Sequence, residues 1–337
     1  MIKIAIIGCG KHMQNFHLPS LKRLKKKFNI VGIYDPDFKK AQKISKKNNI
    51  TKVYKNLDSL FLDKEVEVVD ICSPASLHYQ QIVKSIKNNK HVMVEKPFVI
   101  KNIEMDEIIK ISKNRKLKIM CLQHQRFRNE TIALKKFLNK NKKKLGNLYM
   151  IKSYANYFNG IPTQTKNSFT DKKLSGGGPI IDHGSHIFDL ILYLLNFPKI
   201  KSVNSYIFYN KIKKNIKYNV EDTGLINILF KNNLLVNFET SYLSNEKRDL
   251  FKIKFFFKKG FVEWPELNYN FRNQPNKALT IHCPKGKNAS DNEFEHFINC
   301  VNYNKKILIS LKQTKQIVNL INMVYSNNKI LQNKQTL

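Results

Sequence analysis

Arginine is scarce in this chain: it stands only at positions 23, 115, 126, 128, 248 and 272, although the formal net charge is +35. Lysine therefore carries the charge. It is spread over every segment together with an excess of Asn and Ile, as A/T-rich codon usage would produce. A dedicated nucleic-acid surface is expected to use arginine, whose planar fork reads phosphates and bases. The charge is therefore read as a solvated lysine surface with weak attraction to polyanions and no specific nucleic-acid partner. Cysteine is also sparse. Cys9, Cys72, Cys121, Cys283 and Cys300 are odd in number, form no close pair and show no zinc-type spacing. A reducing compartment with no disulfide framework and no metal site is expected. Cys9, Cys72 and Cys121 lie in or at the ends of apolar runs, where cysteine acts as a small hydrophobe. No apolar run approaches the ~20 residues that cross a bilayer, and residues 1–9 lead into a glycine turn rather than a cleavage site. A cytoplasmic protein with no membrane partner is expected.

What is present is a chain of 337 residues, 42% hydrophobic, enough for about two domains with their own cores. Its organising stretch is Val94-Glu95-Lys96-Pro97-Phe98, preceded by the apolar run His91-Val92-Met93-Val94. Proline forces the residue before it into an extended or cis-bonded corner. Lys96 thus sits on a rigid turn at a strand's carboxyl end, where open α/β sheets bind ligands. There an ammonium group can hold a substrate oxygen, and burial can tune it for acid–base work.

Lys3-Ile4-Ala5-Ile6-Ile7 is a continuous apolar run, as in a parallel strand buried on both faces. Gly8-Cys9-Gly10 follows, then a helix over 18–27. This begins a dinucleotide-binding turn, in which glycines admit a pyrophosphate to the backbone. Met13 stands where a third glycine or alanine is usual, so the helix–strand packing there must differ. A second strand over 29–34 ends at Asp35, placed to accept from a ribose 2′-hydroxyl and to repel a 2′-phosphate. That favours NAD over NADP. The bland reading of Asp35-Pro36 is a turn without a ligand. Helices over 38–47, 58–62, 78–88 and 104–115 alternate with strands over 52–54, 66–72, 91–94 and 118–122. That alternation predicts a doubly wound parallel sheet with right-handed crossovers over 1–122.

Beyond 122 the alternation stops. A helix over 130–141 precedes extended stretches over 148–158, 201–209, 224–230, 234–242 and 251–257. Leu225, Asn227 and Leu229, then Leu235, Asn237 and Glu239, alternate on one register. A mostly antiparallel, open-faced sheet is expected over 123–337, closed by helices over 292–301 and 311–325. Within this half runs Gly176-Gly177-Gly178-Pro179, then helical spacing to 195 carrying Asp182, His183, His186 and Asp189. Asp182 and His186, four apart, share one face, and an imidazole beside a carboxylate makes a base titrating near neutrality. The three glycines are expected to let a substrate or nicotinamide approach. His183 points off that face and is read as structural.

Gly8-Cys9-Gly10, Asp35, Cys72-Ser73-Pro74 with Leu77-His78, Glu95-Lys96-Pro97 and Gly177-Gly178…Asp182-x-Gly184-x-His186-x-x-Asp189 occur in order. Together they resemble the Gfo/Idh/MocA oxidoreductases, a family that includes glucose–fructose oxidoreductase and inositol dehydrogenases. The resemblance implies an N-terminal Rossmann domain and a C-terminal α+β domain whose large open sheet supports homodimers or homotetramers. It implies hydride transfer between nicotinamide and a secondary alcohol carbon of a sugar, nucleotide sugar or cyclitol. By the family pattern Lys96 binds the reacting hydroxyl, His186 accepts its proton and Asp182 orients the substrate. Gly8, Gly10, Lys11, His12, Met13, Asp35, Ser73, Pro74, His78, Glu95 and Lys96 fall to the cofactor. Gln123, Gln125, Arg126, Asn156, Tyr157 and Tyr242 are substrate-side candidates. The rival is a non-catalytic dinucleotide-binding sensor or scaffold of the same fold, since fold alone does not prove chemistry. Against it, Lys96, Asp182 and His186 are all intact. A nucleic-acid-binding role stands behind both.

Overall fold

A computed structural model describes residues 1–158, 168–210, 218–244, 247–274 and 279–331. The chain divides into two compact units, one of Met1–His124 with Lys287–Val318, the other of Gln125–Gly286 with Asn319–Leu337.

In the first unit, strands β1 (Ile2–Ile7), β2 (Phe28–Tyr34), β3 (Lys52–Val53), β4 (Val68–Ile71), β5 (His91–Val94) and β6 (Ile119–Cys121) form one sheet. Its order is β3-β2-β1-β4-β5-β6, and every pairing is parallel. This is the doubly wound order whose direction reverses between β1 and β4, and the crevice there is where such sheets take dinucleotides. The strands read as apolar runs because helices cover both faces: Ile4, Ala5, Ile6, Val68, Val69, Val92 and Val94 have no exposed surface. The connecting helices are α1 (Leu18–Arg23), α2 (Phe38–Asn48), α3 (Leu57–Leu62), α4 (Ala75–Lys87) and α5 (Asn102–Ser112).

The first crossover differs from expectation. Before α1 the chain makes a π-helix over Met13–His17, with the Leu18 N–H donating to the Met13 carbonyl five residues back. Pro19 follows at once and has no N–H to donate, so the ladder is interrupted where the wide turn forms. Met13 itself is fully buried, so its side chain is turned into the core and not toward a ligand.

In the second unit, α6 (Asn129–Leu145), α7 (Lys172–Ser175) and α8 (Pro179–Leu194) accompany strands β7 (Leu148–Asn156), β8 (Ile200–Phe208), β9 (Thr223–Phe230), β10 (Leu235–Ser241), β11 (Leu250–Phe257), β12 (Gly260–Trp264), β13 (Asn268–Phe271), β14 (Leu279–Thr280) and β15 (Asn328–Leu331). They form a sheet of order β14-β13-β12-β11-β7-β10-β9-β8-β15. Among the described residues β7–β10 and β8–β15 pair parallel and the rest antiparallel. The expected register holds: Leu235 faces Leu229, Asn237 faces Asn227 and Glu239 faces Leu225. The alternate residues Ile226, Ile228, Phe230, Val236 and Phe238 are buried on the face that α8 covers. β12 to β15 were not expected from the sequence, because they are short and begin or end at turns.

The C-terminal helices are α9 (Ala289–Asn302) and α10 (Leu311–Ser326). α9 belongs to the first unit, where the sequence had grouped it with the second domain. Its Asp291 receives Nε and Nη2 of Arg23 at 2.7 and 2.8 Å, and Phe294 stands edge-on to Phe28 and His17. A distant segment thus completes a core that sequence order does not suggest. Among the described residues no helix is long and apolar enough to cross a membrane.

At the β1 turn Gly8 has φ of +95°, and a Cβ there would lie 2.8 Å from the backbone carbonyl of Cys72. Gly8→Ala is expected to destabilise the chain by about 1–3 kcal/mol from that strain, read as a lowered midpoint in denaturant unfolding. An unchanged midpoint would show that the turn is not so constrained.

Candidate active site

At the carboxyl ends of the first sheet, neighbouring strands hand backbone hydrogen bonds to one another: Gly8 N–H to Tyr34, Cys72 N–H to Ile7, Glu95 N–H to Ile71 and Leu122 N–H to Val94. This seam brings the glycine turn, Asp35, Ser73 and Glu95 to one edge. The Asp35 carboxylate accepts from Cys9 N–H at 2.7 Å, Asp37 N–H at 3.0 Å and Lys40 Nζ at 2.8 Å. Three of its roughly four acceptor positions are taken, so it fastens the glycine turn to β2 and retains capacity for one more donor. Burial, reinforced by this carboxylate, pushes the Cys9 thiol up to about 12 and keeps it unreactive.

The residues present fit a dinucleotide. A Cβ built on Gly10 would meet nothing within 4 Å, so the turn opens onto free space just past the close approach at Gly8. Lys11 and His12 are exposed beside it, and Ser73, Pro74, Glu95 and Lys96 are half-buried. The Lys96-Pro97 bond is cis. His78 does not line the cleft as expected. It is buried beneath it, with Nδ1 2.9 Å from the Pro97 carbonyl and Nε2 2.9 Å from that of Ser73. It braces the two turns from below, and burial lowers its basicity. Gln123 is buried too, its N–H donating to Glu293.

Two residues of this seam were missed. His17, 2% exposed, lies between Asp70 (Nδ1 to Oδ2, 2.9 Å) and Glu95 (Nε2 to Oε1, 2.7 Å). Burial opposes its charged form, but the Asp70 carboxylate and then the neighbouring Cys72 sulfur raise its proton affinity well above the usual histidine range. Asp70 carried a readable signal, an acid inside the apolar run 68–71, which requires a buried partner.

In the second unit Asp182 and His186 occupy the same side of α8, and both are half-buried. Asp182 Oδ2 accepts from the Tyr242 hydroxyl at 3.0 Å, and Tyr242 stacks on Tyr157 with the rings 12° apart. His183 stands edge-on to both rings, its Nδ1 2.8 Å from the Ala155 carbonyl and 2.9 Å from Thr240 Oγ1. Burial, then the Asp182 charge, hold both tyrosine hydroxyls above their ordinary range. The aromatic pair therefore fixes the Asp182 side chain and remains protonated.

Several sequence candidates move inward. Arg126, 1% exposed, is joined by Nε and Nη2 to the two oxygens of Asp189 at 2.8 and 2.7 Å, with Tyr193 and Phe197 under its guanidinium. It is spent on that internal pair, and no anionic substrate is read from it. Gln125, Asn156 and Tyr242 are buried as well. Of the substrate-side candidates only Tyr157 keeps appreciable exposure. The glycines before α8 also serve another purpose than expected. A Cβ at Gly177 would lie 2.0 Å from the Tyr325 hydroxyl, and one at Gly178 2.0 Å from the Glu221 carbonyl. The space is filled by the chain itself. Buried Glu221 caps α8 by accepting from Gly178 N–H at 2.9 Å and Ile180 N–H at 3.2 Å, and Tyr325 donates to the same oxygen. Neither residue had a local sequence signal, since each reaches the helix from a distant element.

Residues 2–123 match the model described as oxidoreductase family, NAD-binding Rossmann fold, and residues 133–263 match the GFO/IDH/MocA C-terminal domain. A D-glucoside 3-dehydrogenase of Escherichia coli K12 is 28% identical over 97% of this chain and 95% of its own length. Two solved structures share the fold. The WlbA dehydrogenase of Bordetella pertussis, in complex with NADH and UDP-GlcNAcA, has a TM-score of 0.80 at 17% identity, covering 97% of this chain and 96% of its own. KijD10, a 3-ketoreductase of Actinomadura kijaniata in complex with NADP and TDP-benzene, has a TM-score of 0.84 at 13% identity, covering 98% and 99%.

Asp189→Ala strands the buried Arg126 cation and is expected to cost about 3–5 kcal/mol of unfolding free energy. The double replacement Arg126→Met, Asp189→Leu should recover most of it. A single variant as stable as the parent would overturn this account of the pair.

Proposed function

The chain belongs to the Gfo/Idh/MocA oxidoreductases, and from that membership we propose an NAD-dependent dehydrogenase acting on a secondary alcohol of a sugar, nucleotide sugar or cyclitol. The observation that carries the reading is the open turn at Gly10, joined through Cys9 N–H and Asp35 to the strand seam that ends in Glu95 and Lys96. Nucleotide binding is assigned to 1–122 and substrate binding to 123–337. The similarity to a D-glucoside 3-dehydrogenase over nearly the full length supports the sugar-like substrate.

Nicotinamide, when bound, supplies the acceptor for the hydride that leaves the alcohol carbon. Gly8 and Gly10 give the dinucleotide access to backbone, and Lys11, His12, Ser73 and Pro74 border it. Asp35 offers its remaining acceptor capacity to a ribose hydroxyl, and its charge opposes a 2′-phosphate. Lys40, paired to it at 2.8 Å, offsets part of that opposition. Lys96 holds the substrate oxygen and stabilises the growing carbonyl dipole. His186 takes the hydroxyl proton, and Asp182, fixed by Tyr242, orients the substrate. The half-exposed Leu225 and Leu229 and the exposed Leu235 on the uncovered sheet face support a homodimer or homotetramer through that sheet. A monomer mass by light scattering would remove that assembly.

The test is one experiment on two proteins. Thermal shift with NADH and NADPH is run on the parent and on Lys96→Met, alongside turnover with a panel of sugars and cyclitols. A ligand at about 100 times its dissociation constant adds about 2.7 kcal/mol. NADH should stabilise both proteins more than NADPH does, and only the parent should turn over. No response to either dinucleotide would sink the reading. Near-normal turnover in Lys96→Met would remove Lys96 from the chemistry.

A further inference from the structure

Beside the glycine turn, at the edge of the proposed dinucleotide site that His12 also borders, lies a cluster of ligand-type side chains to which no hydride or proton step is assigned. His12 Nε2 and His17 Nε2 both point at one oxygen, Oε1 of Glu95, from 3.0 and 2.7 Å. The three donor atoms lie within 4.8 Å of one another. We propose that His12, His17 and Glu95 form a binding site for one divalent transition-metal ion of the zinc type.

The backbone explains how two histidines five residues apart come to converge. A π-helix closes on i→i+5 hydrogen bonds, and the one over Met13–His17 brings position 12 and position 17 onto one side. Their ring centroids are 5.5 Å apart. An ordinary α-turn would instead pair residues three or four apart. The donor set is two imidazoles and one carboxylate, the His₂Glu composition of three-ligand zinc sites that keep a fourth position open. Zinc ligands about 2.0–2.2 Å from a tetrahedral ion stand about 3.3–3.5 Å from each other. To admit it, His17 Nε2 would retreat about 0.6–0.8 Å and His12 Nε2 about 0.3–0.5 Å from Glu95 Oε1, starting from 2.7 and 3.0 Å.

The surroundings suit a ligated imidazole. A metal-binding histidine usually gives its other ring N–H to a carboxylate, which fixes its tautomer and orientation. His17 does so through Nδ1 to Asp70 Oδ2 at 2.9 Å, with Asp70 fully buried. The second oxygen of Glu95 accepts the Lys96 N–H at 3.1 Å and so holds that carboxylate in place. Access runs through His12, whose side chain is 44% exposed while that of Glu95 is 15% exposed. On binding, the ion takes the place of the proton on His17 Nε2, and that proton leaves to solvent. The ion then ties the turn after Gly10 to the carboxyl end of β5. Zinc spacing is invisible in the sequence because the third ligand lies 78 residues from the second.

The test uses the full-length protein, stripped with chelator, incubated with equimolar zinc or cobalt and desalted. Elemental analysis should find one metal per chain in the parent. His12→Ala, a change at an exposed position that leaves the buried His17–Asp70 pair untouched, should lower the affinity by at least tenfold. The cobalt form should show the visible bands of a tetrahedral site with nitrogen and oxygen ligands. No retained metal would overturn the proposal, as would uptake that His12→Ala leaves unchanged. A strong thiolate-to-cobalt band would place the ion on Cys72, which also faces His17, and would equally reject the His12–His17–Glu95 site.

Discussion

The first unit depends on one close approach. Gly8 turns the chain out of β1 at positive φ with no atom where a Cβ would stand, and so lies against the Cys72 backbone at the end of β4. β1 and β4 are the strands between which the sheet order reverses, so this contact sets the width of the crevice edge. Cys9 N–H is then delivered to Asp35, which binds the turn to β2. The same edge continues through Glu95, whose carboxylate reaches back to His12 and His17 on the widened turn. A side chain at position 8 would push on all of these contacts at once.

The second unit is governed by a helix that lacks its own cap. α8 begins at Gly178-Pro179 with no capping side chain of its own, and its first N–H groups are met by Glu221. That carboxylate is buried, and burial raises its proton affinity while the Tyr325 hydroxyl and two N–H donors oppose the rise. Farther along, the Arg126–Asp189 pair neutralises two charges inside the same unit. These two polar anchors fix the helix that carries Asp182 and His186. The glycines serve the anchors by giving up volume to Glu221 and Tyr325.

Much of this was legible from residue order. Apolar runs alternating with helical spacing read as a doubly wound sheet, because a strand covered on both faces must be apolar throughout. The register of β9 against β10 was legible because a slip of one residue would turn every buried side chain to solvent. Position 8 required glycine by the logic of a tight turn, and Lys96-Pro97 marked its corner by the chemistry of proline alone.

Sequence by itself determined the two fold classes and the motif positions where catalytic chemistry is assigned. Tertiary structure alone decided which polar groups are spent on one another. Arg126 looked free for an anion until Asp189 was found against it, and the glycines looked open until Tyr325 and Glu221 filled their space. His17 and Asp70 gained meaning only as neighbours of Glu95. The reason is physical. Periodicity and turn chemistry are local and are written in adjacent residues, whereas satisfying a buried charge needs a partner whose distance along the chain carries no signal.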